Sequence, residues 1–318
     1  MSEAVTGKPW QVYELSASEA RELGLENLPG NDGKYTHSAY SNFVVRHQEH
    51  GIIGKADLYE DETYVILEAA EIPEYRGLEA GESSPFGDLI ETRIEAAGDR
   101  DLRTSAVTKH GKTQYKYPQY GFTNTGIMPL PEPDSKPLMP MWEGDFESRD
   151  VFIAPEIEEF VESATEGLFE TRFREASKPD LMERGYESRS RGPGNGPLKF
   201  HIDSGTSKPF QIARRIDTKS RIEENYITSA ILDMEDPATQ AITRELYSEG
   251  YRPIRVEVPD KSIGTPSQIV MGKLHQPIEG LELTDESIDL LEKSGLNFEV
   301  EEVDEKSSEV NLLEKEAF

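Results

Sequence analysis

The segment with most chemical content is His47-Gln48-Glu49-His50, placed just after an apolar run. An imidazole can hold a metal ion or take a proton from a hydroxyl near neutral pH. Two residues separate the histidines, not the three that set a pair on one helical face. On a strand or turn they point to opposite sides, so no metal site is expected from His47, Glu49 and His50. A plainer reading is a pair of surface histidines at a strand end. A third reading needs a nucleophile. The chain has no cysteine, so that group would be Ser or Thr. Ser105 lies in LRTSAVT, directly after an amphipathic stretch. Such a serine is a small core or edge residue unless an imidazole can reach its hydroxyl.

These residues need elements to position them. Ser41–Arg46, Gly51–Leu58 and Thr63–Ile72 read as strands, the latter two joined by the polar turn Glu60-Asp61-Glu62. Pro85–Ala97 places Phe86, Leu89, Ile90, Ile94 and Ala97 on one helical face, and Gly98 stops it. Leu102–Thr108 is a short strand carrying Ser105. Residues 1–36 read as an N-terminal arm with a short helix opened by Ser16 and Glu19. Residues 37–140 form a β-rich domain.

Residues 141–222 contain a central amphipathic helix, Pro155–Ala176, and a linker over Glu183–Gly196. Residues 223–304 give strands at 226–234, 251–258, 267–274 and 296–303 and helices at 237–248 and 284–294. That order, βαββαβ, predicts a ferredoxin-like domain. Residues 305–318 form an acidic tail. The fold class expected is α+β, and no internal repeat is evident.

Composition limits the chemistry further. The chain has 318 residues, 62 acidic and 34 basic, for a net charge of −28 (62 − 34). Without cysteine there is no disulfide, thiolate nucleophile, Cys-held zinc or iron–sulfur cluster. A polyanion repels nucleic acid, so no nucleic-acid partner is expected. No apolar run approaches the roughly 20 residues of a membrane helix. The opening MSEAVTGKPWQVYEL lacks the basic and apolar regions of a signal peptide. Apolar periodicity survives between the acids, so the charge reads as a folded surface suited to concentrated salt, where the Debye length falls to about 3 Å.

One family likeness joins the two chemical segments. Val44-Val45-Arg46-His47, then Ile53-Gly54, the acidic turn 60–62, a strand, a helix, the basic turn Arg100–Arg103 and a strand carrying Ser105 together resemble the capsid-maturation (prohead) serine proteases of tailed viruses. The likeness covers residues 37–140. It implies Ser105 as nucleophile, His47 as general base and a third group at Asn124, with Glu132, Asp134 and His110 as other candidates. Asn orients an imidazole but does not stabilise its charged form as a carboxylate does. Where that family often has Ser followed by Ile/Val-Gly, this chain has Ala106-Val107.

What the resemblance implies is a serine endopeptidase maturing the capsid or scaffold of a virus of a salt-adapted host. Its place is the host cytoplasm or the virion. Its partners are capsid or scaffold proteins and further copies of itself, with no cofactor, metal or membrane. The alternative is a non-enzymatic virion structural protein, a shell or assembly component.

Other motifs carry less. Gly192-Pro-Gly-Asn-Gly196 lacks the Lys-Ser/Thr of a phosphate loop. Asp203-Ser204-Gly205 occurs once, whereas aspartic-protease chemistry needs two carboxylates sharing a proton. Trp142 reads as a packing or interface anchor.

Overall fold

A computed structural model describes residues 8–24, 41–60, 64–71, 84–108, 112–129, 137–176, 186–191, 198–203, 213–214, 216–217, 227–259, 266–275 and 278–300. The chain is α+β, as its alternating patterns predict, and divides into two units, Met1–Thr104 and Ser105–Phe318.

The first unit is a twisted sheet with a helix across it. In chain order come β1 (Trp10–Leu15), α1 (Ala17–Glu22), β2 (Ser41–His47), β3 (Gly51–Glu60), β4 (Tyr64–Glu71), α2 (Pro85–Ala97) and the start of β5 (Asp101–Val107). The sheet order is β1-β2-β3-β4-β5. The expected hairpin forms, with β3 and β4 antiparallel from Gly54↔Glu71 to Glu60↔Val65. A parallel step to β5 then needs a crossover, and α2 supplies it.

The ends of α2 are written in the sequence. Ser84 accepts a hydrogen bond from the Gly87 N–H at 3.1 Å, Pro85 opens the first turn, and Gly98 at φ +68° closes the last. Leu89 and Ile90 are fully buried. The short helix α1 has its expected capping box, with the Ser16 hydroxyl and the Glu19 carboxylate serving each other's backbone N–H.

The segment expected as an arm contains a strand. β1 pairs antiparallel with β2 over six positions, Trp10↔His47 to Leu15↔Asn42. Only Trp10 of β1 is buried, so the period-2 signal in WQVYEL is faint. What seats the strand is non-local: Trp10 and Lys8 both reach Asp88 on α2.

The second unit holds the rest of β5, then α3 (Lys112–Lys116), a 3₁₀ turn at Tyr117–Tyr120, β6 (Thr123–Asn124) and β7 (Leu138–Glu143), with β7 lying between β5 and β6. A small parallel pair follows, β8 (Arg149–Val151) with β9 (Thr171–Phe173), flanking α4 (Glu158–Thr165). Next come β10 (Tyr186–Arg191), β11 (Leu198–Asp203), β12 (Ile227–Asp233), α5 (Pro237–Ser248), β13 (Arg252–Glu257) and β14 (Gln268–Leu274). β15 (Ile278–Leu281), α6 (Asp285–Ser294) and β16 (Phe298–Val300) end the described chain. A core including Phe160, Phe200, Ile242, Tyr251 and Met271 fills the space between the sheet of β10–β14 and the helices α4 and α5.

Three expectations are corrected here. The helix expected over 155–176 stops at Thr165. The Thr165 hydroxyl turns back to the Val161 carbonyl at 2.9 Å, and Gly167 takes φ +79°. Leu168 and Phe169 are buried as the pattern required, but from a turn, with the Leu168 carbonyl accepting the Phe146 N–H at 3.0 Å. The linker expected over 183–196 contains β10, which pairs with β11 over six positions.

The ferredoxin-like domain expected over 223–304 has its elements but not its fourth strand. The order β12-β14-β13 is present, yet β11 lies parallel against β12 where that fold would put β16. β16 pairs instead with β15 in a separate two-stranded sheet. β11 is paired to β12 over five positions, and once that apolar edge is covered no edge remains for β16.

Candidate functional site

Two of the expected catalytic residues, His47 and Asn124, have local hydrogen-bond partners. His47 ends β2 and is buried, and its Nδ1 accepts the Glu49 N–H at 3.2 Å. That bond fixes the ring orientation and leaves Nε2 as the ring nitrogen without it. The His50 ring stacks on it, centroids 4.5 Å apart at 19°. The two histidines therefore share a side, contrary to strand alternation, because residues 48–50 form a turn and Gly51 takes φ +75°. Among the described residues no group of three acids or histidines could hold a metal.

Ser105 sits half-buried on β5. Asn124 is structural: its Oδ1 accepts the Gly126 N–H at 3.0 Å and its Nδ2 donates to Ser287 Oγ at 3.4 Å, tying β6 to the start of α6. His110, Glu132 and Asp134 lie outside the described residues, as do Gly192–Gly196 and the Ser204-Gly205 pair. Trp142 is a packing anchor, buried and edge-on to Phe146 at 6.4 Å.

The feature the sequence did not announce is made of backbone. In the first unit, β4 is paired along its length by β3 but meets β5 only at Tyr64↔Asp101, Val65↔Leu102 and Ile66↔Arg103. Among the described residues, β4 from Leu67 to Glu71 has no register partner on its β5 side. Among the described residues, alternate N–H and C=O groups along that edge face no register partner.

The helix that follows completes the arrangement. Asp101, just beyond the end of α2, pairs with Tyr64 at the start of β4, and α2 packs on the sheet. The helix thus runs antiparallel to β4, and its N-terminus lies at the end of the sheet where β4 finishes, with its first turn held to β1 through Asp88 and Trp10. Carboxyl ends of parallel strands are where open α/β sheets bind ligands. The helix dipole favours an anion there, with the Gly87 and Asp88 N–H groups of the first turn already taken by Ser84. Asp88, the one acid in that turn, is turned aside and neutralised, 3.0 Å from Lys8 Nζ through both oxygens and 2.8 Å from Trp10 Nε1.

Two polar groupings of the second unit have internal partners. Lys273 Nζ lies 2.7 Å from Asp217 and donates to the Glu249 carbonyl at 2.7 Å. His275 beside them has its pKa lowered, first by burial and then by the Lys273 charge, with Asp217 opposing. A cavity of about 330 Å³ is lined by Glu158, Phe173, Arg174, Gln240 and Arg244 among others. Gln240 crosses it, accepting from the Ala176 N–H and donating to the Ile153 carbonyl.

No protein-family model matches the sequence, and no curated protein does. Solved structures do. A chimeric spermidine N-acetyltransferase from Vibrio cholerae and a human counterpart is similar at 13% identity and a TM-score of 0.33, over 43% of this chain and 95% of that one. An IAA acetyltransferase from Bacillus cereus is similar at 14% identity and 0.33, over 42% and 98%. ElaA from Escherichia coli is similar at 15% identity and 0.32, over 42% and 99%. Neither a capsid-maturation protease nor a virion protein is among these neighbours, so that expectation and its virion-structural alternative are set aside. Among the described residues no helix is long and apolar enough to cross a membrane.

Proposed function

We propose that the first unit is an acyltransferase domain that takes its acyl group from acyl-coenzyme A. The observation that carries this is the open β4 edge, Leu67–Glu71, at the same end as the capped N-terminus of α2. An extended arm bearing amides can add to a strand edge as a further strand does. An attached diphosphate is favoured at a helix N-terminus. Coenzyme A joins those two chemistries in one molecule and carries its acyl group as a thioester. The net charge of −28 draws a cationic acceptor, which makes an amine the matching nucleophile. The cationic acceptor first gives one proton to solvent, and the neutral amine nitrogen then attacks the thioester carbonyl, the C–N bond forms and the C–S bond breaks. The nitrogen loses a proton, and coenzyme A leaves as the thiol.

The absence of cysteine makes the test clean, because the protein adds no thiol of its own. The full chain is mixed with acetyl-coenzyme A and a panel of cationic amines, and released thiol is followed. Amine-dependent release is expected, together with calorimetric binding of coenzyme A. Ser84→Asp keeps the helix cap but sets a negative charge at the proposed phosphate position, and affinity should fall several-fold with the fold intact. No binding at about 1 mM coenzyme A, weaker than any useful donor affinity, sinks the reading.

A further inference from the structure

The two larger sheets repeat one another. In the first, β3 runs antiparallel to β4, β4 parallel to β5, and β7 lies between β5 and β6. In the second, β10 runs antiparallel to β11, β11 parallel to β12, and β14 lies between β12 and β13. Helical residues fall in the matching crossovers: α2 before β5, and 213–214 with 216–217 before β12. Helical turns end just before β6, and α5 ends just before β13.

The match extends to atoms. Gly121 and Gly250 end their helical turns at φ +86° and +89°. Each N–H donates three residues back, to Pro118 at 3.0 Å and Tyr247 at 3.1 Å. A buried aromatic follows each, Phe122 and Tyr251, and its N–H donates five residues back, to Tyr117 at 3.3 Å and Leu246 at 3.0 Å. The glycines lie 129 residues apart (250 − 121). The matching strands start at offsets from 126 (227 − 101, β5 to β12) to 135 (186 − 51, β3 to β10).

The equivalent segments also meet each other. Ile127 N–H donates to the Ile254 carbonyl at 2.7 Å and Val256 N–H to the Thr125 carbonyl at 2.8 Å, around an antiparallel bridge of Gly126 with Arg255. Antiparallel pairing of like with like is the contact a two-fold dimer makes. Here both halves of the contact belong to one chain.

The copies differ at one place. Register between β4 and β5 stops after three pairs. Between β11 and β12 it runs from Leu198↔Thr228 to Ile202↔Leu232, leaving only Asp203 of β11 beyond it.

We infer that residues 186–274 are an internal second copy of residues 51–143, and that this copy is closed to donor because its parallel strands are paired along their length. Its role is to cover the edge at β6. Each chain then carries one donor site, at the β4 edge. The donor part of this inference rests on the acyltransferase reading.

Two measurements on the full chain test it. Calorimetric titration with coenzyme A should give one site per chain, and two sites overturn the closed copy while leaving the acyltransferase reading standing. No binding overturns the acyltransferase reading, and the second measurement then decides the closed copy alone. In amide hydrogen exchange, peptides over 198–202 and 228–232 should be protected without ligand, whereas over 67–71 the alternate amides that face away from β3 should exchange fast. Added coenzyme A should slow the open amides of 67–71 and leave 198–202 and 228–232 unchanged. Fast exchange over 198–202 and 228–232, or slowing there on adding coenzyme A, overturns the closed copy.

Discussion

Trp10 Nε1 donates to Asp88 Oδ2 at 2.8 Å, and this bond holds the first strand against the first turn of α2. Trp10 is 2% exposed, so its N–H has no water to fall back on. Trp10→Phe keeps the ring and deletes the donor to a charged acceptor. Such bonds contribute about 1.5–3 kcal/mol, so urea unfolding should show a loss of about 2 kcal/mol with an unchanged m-value. An unaltered midpoint would show that Lys8 alone seats Asp88.

Gly126 has no room for a side chain. A Cβ there would stand 2.2 Å from the Ile254 carbonyl oxygen and 2.5 Å from Arg255 Cα, at φ +133°. Gly126→Ala must push the two backbones apart, at a cost of about 3 kcal/mol or more from overpacking and backbone strain together. The expected result is a much lower melting temperature or loss of soluble protein. Asn124→Ala removes the acceptor for the Gly126 N–H and should cost about 1 kcal/mol.

His275 should titrate below the ordinary imidazole range, because burial and Lys273 both disfavour its charged form. The folded pKa lies under the unfolded one. The group's contribution to stability is therefore fully present above about 6.5, the unfolded value, and is lost as pH falls through the folded pKa. An NMR titration of the ring should show the depressed midpoint. Lys273→Met should raise it, since the repelling charge is gone and Asp217 remains. A midpoint unmoved by that substitution would assign the shift to burial alone.

Salt should stabilise the protein. At −28 the surface repels itself, and the Debye length shortens from about 10 Å at 0.1 M salt to about 3 Å at 1 M. The melting temperature followed by circular dichroism should rise by several degrees over that range of KCl. A flat or falling curve would mean that local ion pairs such as Arg172–Asp150, at 2.9 Å, outweigh the net repulsion.

What the sequence by itself determined is local. α2, α5 and α6 lie where apolar spacing, Ser84, Asp236 and Thr284 at their starts, and glycines past their ends put them. The β3–β4 hairpin and the run β12–α5–β13–β14 were equally legible, because each residue there answers mainly to near neighbours in the chain. Pairing between distant segments was not. β1 depends on Asp88, almost eighty residues away, and β11 took the edge that the βαββαβ order reserves for β16.

The functional reading failed for the same reason. His47 and Ser105 are conspicuous residue types, yet the His47 lone pair went to a backbone N–H two residues on. The candidate site is a strand edge and a helix N-terminus, built from groups that every residue carries. Whether those groups are free depends on what pairs with them. Only the tertiary structure decides that, by ending the β4–β5 register at Ile66 while β11 and β12 stay paired to Ile202.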